Sequence, residues 1–419
     1  MSMAMQKKNR LAMTSALLLA AQGANADGLS PLIGALGEWK PIIEARLRYE
    51  NVDQVGISKD ADAGTLRARL GVETGKAWNT AFLAEGEFVE PFDSNYNSTV
   101  NGKTQYPTVA DPRTEEINRL QLTNTSLPQT TVTVGRQRIN LDDQRFVGAA
   151  AWRQNEQTFD AVRVVNKGVT NLTFDVTYFN QVNRVFSKES VQGRYRGDNY
   201  LGNVSYQTRF GKISAFGYLL KFEPLHSAVV ATRNQSLNDS TATYGARFAG
   251  DRPVGPIKLS YAASYAHQTD YGDNLLKFDN DYYFGEITAT FRQFSGVVGV
   301  ELLDGDGVKG FTTPLATLHK FQGWADKFLT TPANGIDDQY ATFAWTAKGL
   351  GPFDTLTATA VYHDYQVKRL AANQGGSEVG LQLAAKWQRV TSILKYAEYN
   401  TNSLFTDTRK IWVEFNFVW

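Results

Sequence analysis

Apolar and polar positions alternate with a period of two over many short segments of this chain. The clearest is the C-terminal run KIWVEFNFVW, residues 410–419, in which every second residue is apolar and most of the others are polar. That period is typical of a β-strand with one apolar and one polar face. The apolar face of this run comprises Ile411, Val413, Phe415, Phe417 and Trp419.

Similar segments recur along the chain, and most have roughly the length of a tilted strand that crosses a bilayer. The most regular span residues 44–50, 65–73, 172–179, 257–266, 284–292, 356–365, 378–387 and 410–419. Less regular ones lie near 79–90, 116–126, 130–139, 160–166, 200–209, 213–222, 242–249, 295–302, 339–347 and 389–399. The pattern predicts eighteen strands, with sixteen or twenty left open.

The connections between these segments alternate between short and long. The short ones, such as GKAWN and RFGK, are rich in turn-forming residues. The long ones fall near 51–64, 92–115, 140–159, 182–199, 223–241, 267–282, 303–338, 366–377 and 400–409. This arrangement predicts an all-β fold, a transmembrane antiparallel β-barrel with short periplasmic turns and long extracellular loops.

The N-terminus indicates export. Lys7, Lys8 and Arg10 precede a short apolar core, residues 11–21, and Ala24-Asn25-Ala26 resembles a cleavage site. We therefore expect a signal peptide at 1–26, a single barrel domain at 27–419, and a location in the outer membrane of a Gram-negative cell. The chain contains no cysteine, so we expect no disulfide framework.

Composition excludes several classes of protein. The formal net charge is +1, and loss of three basic residues with the signal peptide brings it near −2, which argues against a nucleic-acid binder. A barrel enzyme is not expected, because the one adjacent pair, His363-Asp364, points to opposite faces of a strand. No sequence motif indicates a cofactor or a metal site.

The inward faces of the strands carry many charges. An eighteen-stranded barrel is too wide for side chains to fill, so these charges are expected to line water. Arginines are in excess on the first strands, which predicts a basic stripe that draws anionic solutes inward. Pairing of these arginines with inward carboxylates across the wall is the alternative. The strand residues in question include Arg46, Arg48, Arg67, Arg69, Arg119 and Arg163.

Two long loops carry unusual apolar content. The stretch 135–164 contains FVGAAAW, and the stretch 309–340 contains LATLHKFQGWADKFL with apolar residues at helical spacing. We expect the first to pack inside the barrel or against its rim and to form a constriction, and the second to contain a short helix. Loops held outside the barrel by a few aromatic residues are the alternative.

The block GRQ…LDDQRFVG…WRQNE…FDAVRV, followed by HKFQGWADKFL…PANGIDD, resembles the alginate-export family of outer-membrane porins. The resemblance implies an eighteen-stranded monomer whose electropositive constriction passes a polyanionic uronate polymer. It implies Arg136, Arg138, Arg145 and Arg153 at the constriction, with Arg67 and Arg69 as partners on the wall. A general or small-organic-anion uptake porin is the alternative, and a surface adhesin is a third.

The expected partners follow from this interpretation. They are an anionic polysaccharide or organic-acid solute, outer-membrane lipid, and the barrel assembly machinery, which would read the C-terminal aromatic strand. The predicted mechanism is passive movement through water, with arginine guanidiniums that fork onto carboxylates and bind them weakly enough to release them.

Overall fold

The computed structural model describes residues 30–367 and 374–419. Within these residues the chain forms eighteen antiparallel strands, as the alternation predicts. The first strand pairs with both the second and the last, so the sheet closes into a barrel. The predicted signal peptide, residues 1–26, lies outside the described residues.

The strands follow one another around the barrel in chain order, since each pairs with its neighbours in sequence. They are β1 Lys40–Gln54, β2 Ala61–Glu73, β3 Thr80–Asn95, β4 Thr114–Asn124, β5 Thr130–Gln137, β6 Thr158–Asn166, β7 Leu172–Asn183, β8 Arg194–Thr208, β9 Gly211–Phe222, β10 Thr241–Val254, β11 Ile257–Asp270, β12 Asp279–Phe291, β13 Phe294–Leu303, β14 Ile336–Leu350, β15 Phe353–Gln366, β16 Gly376–Trp387, β17 Val390–Asn400 and β18 Thr408–Val418.

Short turns and long loops alternate, as predicted. Several turns consist of two residues, for example 255–256 between β10 and β11. The long extracellular loops are L1 55–60, L2 96–113, L3 138–157, L4 184–193, L5 223–240, L6 271–278, L7 304–335 and L9 401–407. L8 is the connection between β15 and β16, of which the structure describes only residues 367, 374 and 375.

Two α-helices accompany the strands in the part of the chain that the structure describes. α1 (Ser30–Gly37) precedes β1, and α2 (Val230–Asn238) lies in L5. None of the helices in the described residues is long and apolar enough to cross a membrane.

The two faces of each strand have opposite environments. In β18 the side chains of Trp412 and Glu414 are buried inside the barrel, whereas Phe415 is 47% exposed on the outside. The strands before it show the same alternation, with exposed Leu47 on β1 and Leu66 on β2. The apolar face of the C-terminal run therefore faces lipid, as predicted.

Part of the lumen is filled by L3 and L7, which fold inward. The main apolar core combines residues of L3 (Ile139, Val147), of L7 (Phe311) and of the wall (Tyr282, Phe159). Two backbone hydrogen bonds join the loops: the amide of Gly148 donates to the carbonyl of Leu315 at 2.9 Å, and the amide of Thr317 donates to the carbonyl of Gln144 at 3.1 Å. The expectation that the first loop packs inside the barrel is confirmed.

The short helix predicted in L7 is wrong in extent. Only the single 3-10 turn Leu318–Lys320 forms. The apolar residues around it contact different surfaces, because His319 stacks on L3 whereas Phe328 packs on the wall tyrosines of β15 and β17. Their spacing therefore follows the irregular shape of the lumen rather than one helix face.

Candidate functional site: the arginine wall and the inward loops

A row of inward arginines covers neighbouring strands on one side of the barrel. We call it the arginine wall, and it comprises Arg46 and Arg48 of β1, Arg67 and Arg69 of β2, Arg119 of β4, Arg136 of β5, Arg138 at the start of L3 and Arg163 of β6. Arginines two residues apart on one strand point to the same face. The antiparallel register places Arg46 opposite Arg67 and Glu44 opposite Arg69.

Most of the wall arginines form ion pairs with carboxylates of adjacent strands. Arg119 donates to both oxygens of Glu85, from Nε at 2.9 Å and from Nη2 at 2.6 Å. Arg136 likewise donates to both oxygens of Asp160, from Nε at 2.6 Å and from Nη2 at 2.9 Å. Arg163 forks onto Asp175 at 2.9 and 2.5 Å. Such bidentate pairs fix the direction of each guanidinium.

One carboxylate of L3 connects the loop to this wall. Glu156 accepts from Nε of Arg138 at 2.5 Å and from the side-chain amide of Asn118 at 2.5 Å. Its second oxygen lies 3.4 Å from Nη1 of Arg69. Glu87 of β3 accepts from Nε of Arg69 at 2.5 Å. The C-terminal end of L3 is thereby held against β2 and β4.

The charged groups of the wall are not equally accessible from the lumen. The side chain of Arg138 is 27% exposed, whereas its partners Glu156 and Glu85 are fully buried. Arg119 is 16% exposed above the same buried Glu85. Asp160 and Glu44 are exceptions, because each is more exposed than its arginine partners. At Arg119 and Arg138, water therefore meets guanidinium groups, and the compensating carboxylates lie beneath them.

Arg46 and Arg48 hold the backbone of L3. Nη1 of Arg46 lies 3.0 Å from the carbonyl oxygens of Ala151 and Trp152. Nη2 of Arg48 donates to the Trp152 carbonyl at 2.6 Å, and the same guanidinium pairs with Glu414 of β18. Arg48 has no exposed surface. Arg46 and Arg48 therefore anchor L3 as well as lining the wall.

The ten predicted arginines fall into two groups by exposure. Four of them, Arg48, Arg67, Arg69 and Arg145, have almost no solvent-exposed surface. The more exposed ones are Arg46, Arg119, Arg136, Arg138, Arg153 and Arg163. Contact of any of the ten with a solute stays a prediction.

Arg145 joins L3 to L7 and to the wall. Its Nε donates to Glu301 of β13 at 2.6 Å, and its Nη1 donates to the hydroxyl of Thr313 at 2.8 Å. The guanidinium also lies over the ring of Phe321, 4.9 Å from its centre. Glu301 accepts a further hydrogen bond from the hydroxyl of Tyr282 at 2.7 Å. All of these polar groups are enclosed by protein.

Arg153 makes a second junction near the extracellular side. It donates to Glu50 of β1 at 3.2 Å and to Asp326 of L7 at 2.9 Å. Asp326 also accepts from Lys410 of β18 at 3.0 Å. Burial raises the cost of an isolated charge, and the neighbouring cations hold the pKa of Asp326 well below its usual range. Its carboxylate is therefore ionised where L3, L7 and β18 meet.

Sequence reasoning missed a buried lysine that joins both loops to the wall. The ammonium of Lys395 on β17 lies 3.9 Å from the ring centre of Trp324 in L7 and 4.2 Å from that of Trp152 in L3. It also lies 2.8 Å from Nε2 of His319. Contacts of a desolvated ammonium with aromatic faces are favourable.

The protonation of His319 follows from its position. Burial lowers its pKa to about 3, so the ring is neutral at physiological pH. Nδ1 then donates to Asp326 at 2.7 Å, and Nε2 accepts from Lys395. The ring stacks on Trp152 with the two planes 3° apart. Two features of the sequence could have indicated this contact: an inward lysine on β17 and a tryptophan in each of the two inward loops.

The described residues contain no group of three His, Asp or Glu side chains placed to hold a metal ion. The polar interior instead consists of guanidinium–carboxylate pairs. Such an arrangement can bind and release the carboxylate groups of a passing solute at the exposed guanidiniums.

Comparison with known proteins agrees with this architecture. A family model described as "Alginate export" matches residues 42–282, which is more than half of the chain. Comparison by sequence with curated proteins finds no match. Solved structures with the same fold include several outer-membrane proteins of Pseudomonas aeruginosa.

Three of these structures match over nearly the whole chain. OpdK with vanillate is 15% identical and has a TM-score of 0.70, with coverage of 92% of this chain and 100% of that one. OccK5 (OpdH) is 17% identical, with a TM-score of 0.68 and coverage of 92% and 99%. OccK2 (OpdF) in complex with glucuronate is 14% identical, with a TM-score of 0.67 and coverage of 92% and 98%.

Proposed function

From the membership of this chain in the alginate export family, and from its closed outer-membrane barrel, we propose that it is a channel for passive diffusion of organic carboxylates. The solute would cross the lumen along the arginine wall and beside the inward loops. Arg46, Arg119, Arg136, Arg138 and Arg163 would meet it, and the buried arginines would hold the wall and the loops in place.

The observation that carries this proposal is the layering of charge at Arg119 and Arg138. Their guanidiniums reach the lumen, and their carboxylate partners Glu85 and Glu156 are buried behind them. The lumen surface there is basic even though the ion pairs are close to neutral as a whole. A cation at the surface of a low-dielectric wall raises the local concentration of anions.

The same layering limits how tightly a solute binds. Each guanidinium already donates to a protein carboxylate, so a solute carboxylate receives only the remaining N–H groups in the presence of water. Ion pairs of this hydrated kind contribute up to about 1 kcal/mol. Weak binding at successive arginines allows a solute to enter and to leave, as passive conduction requires.

The similar structures support a carboxylate as the recognised group. One was solved with vanillate and another with glucuronate, and both molecules are small carboxylates. The second candidate function is export of a polyuronate such as alginate. It is favoured by the family description and by arginines that continue across neighbouring strands, which suits a polymer with repeated carboxylates.

Reconstitution of the purified protein in planar bilayers tests both candidates. A KCl gradient should give a reversal potential of the sign expected for chloride preference, and added glucuronate and oligo-uronates should reduce the current. Arg138→Gln and Arg119→Gln each remove a lumen cation and leave the buried Glu85 with one cationic partner fewer, and Arg138→Gln does the same to the buried Glu156. Each should lower chloride preference and raise the half-blocking concentration of glucuronate up to about fivefold.

Arg113→Gln is the matched control. Arg113 is 65% exposed and pairs with the exposed Glu90, away from the arginine wall. It should leave both selectivity and block unchanged. Equal effects of all three substitutions, or a current without ion preference, would remove the support for an anion pathway along this wall. Stronger block by oligomers than by glucuronate at equal carboxylate concentration would favour polyuronate export.

A further inference from the structure

A cavity of about 400 Å³ lies on the extracellular side of the junction between L3 and L7. It is bordered by L1, L2, L4 and L9 as well as by the two inward loops. Its volume falls in the range of about 300 to 1,000 Å³ that is typical of small-molecule sites. It is separate in sequence from the arginines of β2, β4, β5 and β6, none of which lines it.

The lining of this cavity is predominantly apolar. Aromatic and aliphatic side chains from five different loops contribute to it, namely Ile57, Tyr106, Phe186, Leu318, Leu329 and Phe405. A solute that is rich in hydroxyl groups would lose water there and regain fewer hydrogen bonds than it gives up, which is unfavourable. A solute with an apolar body would gain from the same surface.

Four cations also line the cavity, and two of them are already neutralised. Arg153 and Lys410 both pair with Asp326. By contrast, Arg184 and Lys327 have no carboxylate within ion-pair distance among the residues that the structure describes. Arg184 donates to the carbonyl of Gln192 at 3.4 Å and lies over aromatic rings.

Lys327 likewise has neutral groups as its hydrogen-bond and ring partners, and the carboxylates Asp407 and Glu378 act on it from beyond ion-pair distance. Its ammonium donates to the hydroxyl of Thr408 at 2.8 Å and lies 5.7 Å from the ring centre of Tyr399 and 5.9 Å from that of Phe405. Burial, followed by repulsion from Lys410, lowers the pKa of Lys327 to about 8. A solute anion beside this ammonium would supply the missing counter-charge.

We propose that this cavity is an extracellular entry site for amphipathic organic anions, in which one of the two unpaired cations binds the carboxylate and the loop aromatics bind an aromatic or alicyclic body. Lys327 lies against β17 and β18, whereas Arg184 lies against L4 and β8, so each cation offers its own carboxylate position in the cavity. The inference rests on the proposed carboxylate channel and narrows its substrate class. It also determines the side of the membrane from which the solute enters, because the cavity is formed by extracellular loops and would be filled from outside the cell. That favours uptake over export.

The test uses the full-length protein and three probes. Benzoate combines a carboxylate with an apolar body, benzamide has the body without the charge, and glucuronate has the charge on a hydroxyl-rich body. Calorimetric titration should detect benzoate binding, with benzamide and glucuronate at least about tenfold weaker. In bilayers, benzoate should block at lower concentration from the extracellular side than from the periplasmic side.

Substitutions identify the cation that binds benzoate. Lys327→Gln or Arg184→Gln should weaken benzoate binding about tenfold, whereas Lys327→Arg should retain it. Lys277→Gln is the matched control, since Lys277 is an 80% exposed lysine of L6 that does not line the cavity. Retained affinity in Lys327→Arg shows that a loss in Lys327→Gln reflects charge rather than misfolding.

Each outcome decides the inference. Benzoate affinity within twofold of the unsubstituted protein in both Lys327→Gln and Arg184→Gln would overturn it, as would equal binding of benzoate and benzamide. Chloride preference in KCl together with the absence of benzoate binding would overturn the entry site and leave the proposed channel standing. Absence of chloride preference would count against the proposed channel itself.

Discussion

The ion pair between Arg145 and Glu301 gives a quantitative test of how firmly L3 and L7 pack inside the barrel. Both side chains are enclosed by protein, and Nε of Arg145 lies 2.6 Å from the carboxylate. The perturbation is a double-mutant cycle of Arg145→Met, Glu301→Gln and the combined variant. Methionine keeps much of the length of arginine and removes its charge.

The expected magnitudes follow from the contacts of the pair. Arg145→Met leaves Glu301 buried without a cation and removes the bond to Thr313, so it should lower the free energy of unfolding by about 4 kcal/mol. Glu301→Gln leaves the guanidinium without its anion and should cost about 3 kcal/mol. The combined variant removes both charges and should cost about 3 kcal/mol, which gives a coupling energy of about 4 kcal/mol.

The assay is urea unfolding in phospholipid vesicles, followed by tryptophan fluorescence. The matched cycle uses the exposed pair of Arg113 and Glu90, which lie 2.9 Å apart and should couple by less than about 1 kcal/mol. If the Arg145–Glu301 cycle gives a coupling no larger than the exposed pair, the junction of the loops is hydrated rather than packed. The reasoning about the inward loops would then be wrong.

Two further predictions concern L7. A Cβ at Gly323 (φ +81°) would collide with Glu378 and the Tyr365 hydroxyl. Gly349 has a similar φ of +63° but open surroundings, so Gly349→Ala should cost roughly 1 kcal/mol and Gly323→Ala several times as much. Equal melting temperatures of the two variants would contradict this. Burial lowers the pKa of His319 to about 3. Below pH ~6.5, L7 released from the barrel therefore binds a proton at His319 that the packed loop does not bind. The free energy that favours the packed loop should fall by up to about 1.4 kcal/mol per pH unit as pH falls. Current noise should therefore rise between pH 6.5 and 4.5, and a similar rise in His319→Asn would count against this origin.

The alternation of residue types predicted the barrel because each strand has one face in lipid and one in the lumen. In β18 this separation places Phe415 outside and Glu414 inside, and the same rule located the wall arginines on β1 and β2. The strand number also followed from the alternation of short turns and long loops. These features depend on neighbouring residues, which is why local patterns were sufficient.

The partners of the arginines depend on contacts far apart in sequence. Arg145 pairs with Glu301, which is 156 residues away, and nothing in the local sequence marks that choice. The same holds for Lys395, whose environment is assembled from L3, L7 and β18. The lumen-facing group, for example Arg138, could be distinguished from the loop anchor Arg48 only after the loops had been placed.

The pairing of Arg48 with Glu414 has a consequence for biogenesis. These two residues are 366 positions apart and meet only across the seam between the first and last strands. Because the chain is synthesised from its N-terminus, Arg48 is made long before Glu414. The ion pairs of this wall are complete only when β1 pairs with β18. A barrel arrested before that step would leave Arg46 and Arg48 without Glu414 along an open edge, whereas the other wall arginines keep their carboxylate partners.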